Sequence, residues 1–232
     1  RGKPEFTEIL KHGNVEAVNL ANNHTYDYFQ KGYDDTIAAL KKAGISYFGL
    51  DHQSINNIKG INIGNLGYKG WNNSKWVKDG IKKDIAAMKQ KTDILIVTFH
   101  WGDEGSNYPN SIQKDLGKFA IDQGADLVLG HHPHVMQGIE KYKDKYIVYS
   151  LGNFCFGGNR NPSDKDTFIF QQNFILDQNK KISSTDISII PCTVSSVKYR
   201  NDYCPTPQKG QEGDRIMNRL NQYSKGFNAT YY

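Results

Sequence analysis

Five of the seven histidines stand in company that suggests metal or phosphate chemistry. His24 is set among Asn22, Asn23 and Asp27; His100 is followed by Asp103 and Glu104; His131, His132 and His134 fall within four residues, the last two separated by Pro133. Neutral imidazole nitrogen and carboxylate oxygen are the usual ligands of Zn, Mn and Fe(II), and an asparagine adds an uncharged oxygen or an amide donor. Two histidines one residue apart on an extended chain would point to opposite faces. Pro133, however, fixes its own φ and keeps His132 out of the helical region, so a turn there can aim both rings into one cleft. His12 and His52 lack such neighbours and read as surface or helix-end residues.

Each cluster directly follows an apolar run: Ala17 to Leu20 before His24, Ile94 to Phe99 before His100, and Leu127 to Leu129 before His131. In open α/β sheets ligands bind outside the carboxyl ends of strands, and all five histidines lie at such ends. Other chemistries lack their signatures. There is no GxSxG elbow for a serine hydrolase, and the glycines at 60, 64, 67 and 70 form neither GxGxxG nor GxxxxGK[ST]. Trp71 and Trp101 remain unassigned, and Ser150-Leu151-Gly152-Asn153-Phe154 reads as a tight turn ending a strand rather than a ligand.

The elements that must hold these groups alternate along the first part of the chain. A short helix from Pro4 to Leu10 stops near Gly13, a buried strand runs from Ala17, and a helix spans about Tyr33 to Ala43 with Gly44 as its C-cap. A strand follows at Ile45 to Phe48. This β-α-β order favours parallel strands joined by a right-handed crossover. The scheme then repeats with a helix at Lys78 to Gln90, a strand at Ile94 to Phe99, a helix at Ile112 to Gln123 and a strand at Leu127 to Leu129. The unbroken apolar run at Ile94 suits a strand buried on both faces. From Val135 onward, short strands at Ile147 to Tyr149, Thr167 to Leu176 and Ile182 to Ile190 follow without helices, before a last amphipathic helix at about Asp214 to Tyr223. No repeat, low-complexity tract or linker interrupts the chain, so residues 1–232 are expected to form a single domain.

Composition narrows the classes further. With 38% hydrophobic and 23% charged residues, the chain is neither disordered nor fibrous. The net charge of +5 is spread over scattered lysines and arginines rather than concentrated in a basic run, which argues against nucleic-acid binding. No stretch approaches the roughly 18 apolar residues of a membrane span, and no signal peptide is visible. The first residue is Arg1 rather than Met, so a preceding segment is expected. Cys155, Cys192 and Cys204 show no CxxC spacing; Cys192 and Cys204 either pair across a hairpin or stay reduced.

Four segments together resemble a known family. They are Leu20-Ala21-Asn22-Asn23-His24 with Asp27; Phe99-His100-Trp101-Gly102 with Glu104; Gly124 through Val135, containing Gly130-His131-His132-Pro133-His134; and Tyr149-Ser150-Leu151-Gly152-Asn153-Phe154. In order and spacing they are similar to the bacterial capsule-synthesis proteins of poly-γ-glutamate, the CapA-like branch of the calcineurin-like metallophosphatases. The resemblance implies an α/β (α+β) sandwich of two mixed β-sheets flanked by helices in a four-layer αββα order. By the same resemblance Asn23, His100, His132 and His134 are expected as ligands of one or two divalent ions, Mn, Fe or Zn, while His24, Asp27 and Glu104 are expected as catalytic residues. His131 is not part of the family's GxHPH pattern. Two departures stand out. The family's early Gly-Asp strand end and its Asn-x-Glu segment are not found, so the domain is expected to lack its amino-terminal strand or strands and half of the metal site. Phe29 stands where the family commonly has glycine two residues after the loop Asp, so the loop path is expected to differ.

The function expected from the resemblance is metal-dependent hydrolysis at a phosphate ester or amide bond in poly-γ-glutamate capsule synthesis or export. The alternative is a non-catalytic accessory that binds an anionic polymer or a membrane synthase. Expected partners are accordingly poly-γ-glutamate or a phosphorylated substrate, and synthase subunits, but not nucleic acid. The expected location is extracytoplasmic, at the cell surface or anchored to the membrane through the preceding segment.

Overall fold

The computed structural model describes residues 2–227 and 231. A six-stranded mixed sheet forms its centre, in the order β3 (Ser54–Ile58), β4 (Ile61–Gly70), β5 (Ile94–Trp101), β6 (Leu127–His131), β8 (Lys145–Val148), β7 (Ile139–Tyr142). The run β4-β5-β6-β8 is parallel, and the antiparallel β3 and β7 close its two edges. Period-two alternation along β5 sends Leu95, Val97, Phe99 and Trp101, all fully buried, into one core, and Ile94, Ile96, Thr98 and His100 to the opposite face.

That first core is completed by α3 (Lys75–Lys89), through Ile81, Ile85 and Met88, and by α4 (Ser111–Gln123), through Leu116, Ala120 and Ile121. Helix α4 starts on a reciprocal cap: Gln113 N donates to Asn110 Oδ1 and Asn110 N donates to Gln113 Oε1, each at 3.0 Å. The other face of the sheet packs Leu129 and Val148 against Phe168, Phe170, Ile187 and Ile189 of a second sheet and Ile216 and Leu220 of α5 (Gly210–Ser224). This second sheet has the order β11 (Thr206–Pro207), β10 (Ile182–Thr193), β9 (Asp166–Leu176). The α/β sandwich is as expected. Of the two sheets expected to be mixed, however, only the central one is; β9, β10 and β11 are wholly antiparallel. The reason is local, since Asp177 Oδ1 accepts from Asn179 N and Lys181 N and so closes the chain between β9 and β10 into a tight turn.

A third unit lies beside the centre. Strands β1 (Ala17–Asn19) and β2 (Ser46–Phe48) pair in parallel, joined by α2 (Phe29–Ala43), which ends at Gly44 with φ 72°. Leu20, Tyr33, Leu40 and Ile45 form its small core, with Leu10 of α1 (Thr7–His12) packed against it. It meets the central sheet closely: a Cβ at Gly67 of β4 would lie 2.3 Å from Asn19 Oδ1 and 2.8 Å from Gly49 Cα, so only glycine fits. Cys192 is buried, Cys155 and Cys204 are exposed, and all three are free thiols, so the open Cys192–Cys204 pairing is not formed.

Candidate functional site

Register sets the foundation. Lys69, His100 and His131 are successive partners across β4, β5 and β6, so the loops that follow these strands leave one edge of the sheet together. The loop after β1 arrives from the side. There the Thr25 hydroxyl donates to Leu20 O and to Asn22 O, and His24 N donates to Asn22 Oδ1 at 2.8 Å, winding the chain so that Asn23 and His24 face the sheet edge. Phe29 takes φ 57°, the left-handed conformation that glycine adopts freely, and its ring is 81% exposed. Phe29, standing where the family commonly has glycine, thus takes a conformation that glycine adopts freely.

A directed chain of hydrogen bonds crosses the site. Asp27 Oδ2 lies 2.8 Å from His24 Nδ1, Asn23 Nδ2 lies 3.2 Å from His24 Nε2, and Asn23 Oδ1 lies 2.9 Å from His100 Nε2. An amide nitrogen only donates and an amide oxygen only accepts, so the tautomers follow: His24 carries its proton on Nδ1, toward Asp27, and His100 carries its proton on Nε2, toward Asn23. Burial drives the His100 pKa down to about 3, helped by the neighbouring His132, His131, His134 and His24, and the ring is therefore neutral.

The second half comes from the HPH turn and the loop after β5. His132 and His134 both have positive φ, 101° and 60°, a strained pairing that turns their rings toward one another with centroids 6.0 Å apart. His132 also lies 4.8 Å from His100, and Trp71 sets its edge against both, at 4.7 Å from His132 and 5.8 Å from His100. Gly105 N donates to Pro133 O at 2.8 Å, which brings the loop after β5 onto this turn. As a result, ligand atoms of Glu104, His132 and His134 all lie within 4.8 Å of one another. Burial lowers the pKa of His132, with Glu104 opposing and His134 adding to the shift. Burial also lowers His131, to about 4.

These residues fit a divalent ion. His132 Nδ1 is buried without a hydrogen-bond partner. His134 Nδ1 donates to Asn153 Oδ1 at 2.7 Å while Asn153 Nδ2 returns a bond to the His134 carbonyl, which leaves His134 Nε2 with its lone pair free. Neutral imidazoles and a nearby carboxylate are what such an ion requires.

All seven residues singled out in the sequence therefore meet at one edge, but in two groups: Asp27, His24, Asn23 and His100 form the hydrogen-bonded chain, and Glu104, His132 and His134 form the candidate ligand set. Glu104, expected as a catalytic group, stands among the ligand atoms, and the imidazole Nε2 of His100, expected as a ligand, is occupied by Asn23. Sequence reasoning missed two residues. Trp71 is open in the sequence to lining a cleft or to ordinary packing, because nothing there places it beside the two histidines it touches. Asn153 did carry a signal, because it lies in the segment 149–154 that resembles the family, but there it read as a turn residue.

Residues 1–158 match the family described as "Bacterial capsule synthesis protein PGA_cap". The chain belongs to this family. Among relatives of the capsule synthesis family, the "Capsule biosynthesis protein CapA" of Bacillus anthracis is 36% identical over 177 residues, covering 66% of this chain and 43% of the relative. The "PGA biosynthesis protein CapA" of Bacillus subtilis (strain 168) is 32% identical over 214 residues, covering 84% and 56% respectively. A "Probable polyglutamine synthesis accessory protein" of Mycobacterium tuberculosis is 30% identical over 183 residues, covering 65% and 46%. The chain thus spans about half the length of the curated relatives it matches.

Proposed function

We propose that this chain carries the metal-dependent, hydrolase-like centre of a protein that serves poly-γ-glutamate capsule synthesis, acting on a phosphate ester or amide bond of an anionic polymer or of a phosphorylated substrate. The observation that carries the reading is the approach of Glu104, His132 and His134 within 4.8 Å, with His132 Nδ1 buried and unpartnered. A divalent ion, Mn, Fe or Zn, supplies Lewis acidity toward a phosphoryl or carbonyl oxygen when bound by these three residues.

The chain's own groups do the remaining work. His134 is locked in one tautomer by Asn153, and Trp71 packs in T-shaped contact with the rings of His100 and His132. Asp27 keeps the His24 proton on Nδ1 and stabilises the imidazolium, so His24 Nε2, once its hydrogen bond from Asn23 Nδ2 gives way to substrate, is the atom that takes a proton and then gives it to a leaving group. Asn23, bonded to both His24 and His100, presents its amide beside that nitrogen and orients the bond to be broken. In this reading the protein is extracytoplasmic, at the cell surface or anchored to the membrane. Among the described residues no helix is long and apolar enough to cross a membrane.

The test is metal content and turnover of the full-length protein. The unmodified protein is expected to retain Mn, Fe or Zn through gel filtration and to cleave a phosphate ester or γ-glutamyl amide, with His132→Ala and His134→Ala losing both properties. Retention of no metal, or unchanged turnover in both variants, overturns the proposal. A second reading, a non-catalytic accessory that binds polymer or a membrane synthase, draws on the name of the mycobacterial relative, an accessory protein, and on the net charge of +5. Salt-sensitive binding of poly-γ-glutamate without turnover supports that reading instead.

A further inference from the structure

Glu104 reaches His132 and His134 from a loop, residues 102–110, that has no regular secondary structure. Two side-chain amides hold it. Gln113, at the start of α4, and Gln137, three residues past His134, are both fully buried. Gln113 Nε2 donates to Gln137 Oε1 at 2.8 Å, and Gln137 Nε2 donates to Ser106 O at 2.9 Å. Gln113 Oε1 accepts from Asn110 N, so the loop is gripped at both Ser106 and Asn110. Gly102 enters the loop with φ 84°, and a Cβ there would lie 2.5 Å from Gln113 Oε1, so the chain passes directly over the amide. Asn107 Nδ2 adds a bond to Met136 O at 3.0 Å, next to Gln137.

Burying an amide is costly unless each polar atom is paired, and an apolar pair of similar size would fill the same space with no such cost. What an apolar pair could not do is fix the loop backbone. Satisfied buried polar networks specify one arrangement among several compact ones. The arrangement specified here places Glu104 against the HPH turn.

We infer that Gln113 and Gln137 are a positioning pair, which fixes the loop after β5 so that the Glu104 carboxylate joins His132 and His134 as a ligand of a divalent cation. The inference rests on the metal reading above and adds two residues that touch neither cation nor substrate. Glu104 and the pair act in series, so removing either one should have the same consequence for cation binding.

Co(II), whose visible absorption reports ligand number and geometry, is the probe. It is titrated into the full-length unmodified protein, Gln137→Leu, Glu104→Ala and the double variant, with amide exchange at residues 103–107 followed in the metal-free proteins. Gln137→Leu is expected to lose exchange protection at 103–107, to bind Co(II) about tenfold or more weakly, and to show altered absorption bands. Glu104→Ala is expected to lose the affinity while keeping the protection, and the double variant to bind no more weakly than Glu104→Ala alone. Wild-type affinity and bands in Gln137→Leu, or unchanged protection, overturn the positioning role while leaving the metal reading intact. If the unmodified protein takes up no Co(II), the metal reading itself falls, and with it the purpose assigned to the pair. Should Gln137→Leu not fold, Gln113→Leu/Gln137→Leu, which replaces both amides together, is judged by the same outcomes.

Discussion

Gly130, inside the segment Gly130 to His134, offers a quantitative test of how the site is founded. A Cβ built there would lie 2.0 Å from Tyr149 O and 2.5 Å from Trp101 Nε1, well inside van der Waals contact. Those two atoms are partners in a buried hydrogen bond of 2.8 Å, and both residues are fully buried. Gly130→Ala must therefore push β6 away from β8 or break the Trp101–Tyr149 bond. Overpacking a filled core costs about 1–3 kcal/mol, and leaving a buried donor and acceptor unpaired costs about 1–3 kcal/mol more. The expected loss is about 4 kcal/mol, a large share of a typical total of about 5–15 kcal/mol. Urea denaturation reads it as a midpoint lowered by about 1 M or more. Gly80 supplies the opposite control: it lies exposed within α3 with nothing near its Cβ position, so Gly80→Ala is expected to stabilise by about 0.5–1 kcal/mol. If Gly130→Ala and Gly80→Ala shift the midpoint alike, the close approach of β6 and β8 at this residue is refuted.

Further tests address other links. At Phe29 the usual preference of helices for Ala over Gly should reverse: with φ 57° and a mostly exposed ring, Phe29→Gly is expected to be about 1 kcal/mol more stable than Phe29→Ala by chemical denaturation. Asp166 is buried, which alone would raise its pKa, but its bonds to Arg215 and Arg219 outweigh that and hold it below the usual range. Its contribution is therefore complete above the unfolded value of about 3.9 and is lost as pH falls below it. Asp166→Asn should flatten the acid side of the stability–pH curve and lower stability at neutral pH by about 3 kcal/mol, the low end for a buried pair because both arginines are partly exposed; an unchanged acid slope would count against the ion-pair account. Asn153→Ala frees the His134 ring and, on the metal reading, should weaken cation binding by about tenfold or more in a Co(II) titration, a loss that Asn153→Asp, which keeps the acceptor oxygen, should largely avoid.

The parts of the fold that could be read from the sequence are those where one physical requirement dominates. The apolar run at Ile94 had to be a central strand because both its faces are buried, and Gly44 had to end a helix because the chain turns left-handed there. The β3–β4 hairpin was not recognised as paired strands. Asn56, Asn57, Gly64 and Gly67 are poor strand formers, and Gly67 is present for the close passage of Asn19 and Gly49 rather than for strand propensity. At the site, residue types and strand ends identified the histidines. Their division into two groups was hidden, because it depends on Asn23 reaching across to His100 and on two histidines taking positive φ on either side of Pro133.

The residues of the site also stand on two different supports. Asn23 and His24 extend from the small β1–β2 pair, whereas His100 and the HPH turn extend from the six-stranded sheet, and among the described residues no strand pairing joins the two sheets. On the proposed reading, His24, which would handle the proton, and His132 and His134, which would hold the cation, are mounted on separate plates, bridged within the site by the Asn23–His100 bond. A shift of one plate against the other would, on that reading, change the spacing between His24 and the cation while leaving the HPH turn undisturbed, so the Asn23–His100 bond is the gauge on which the alignment of the two sides can be read.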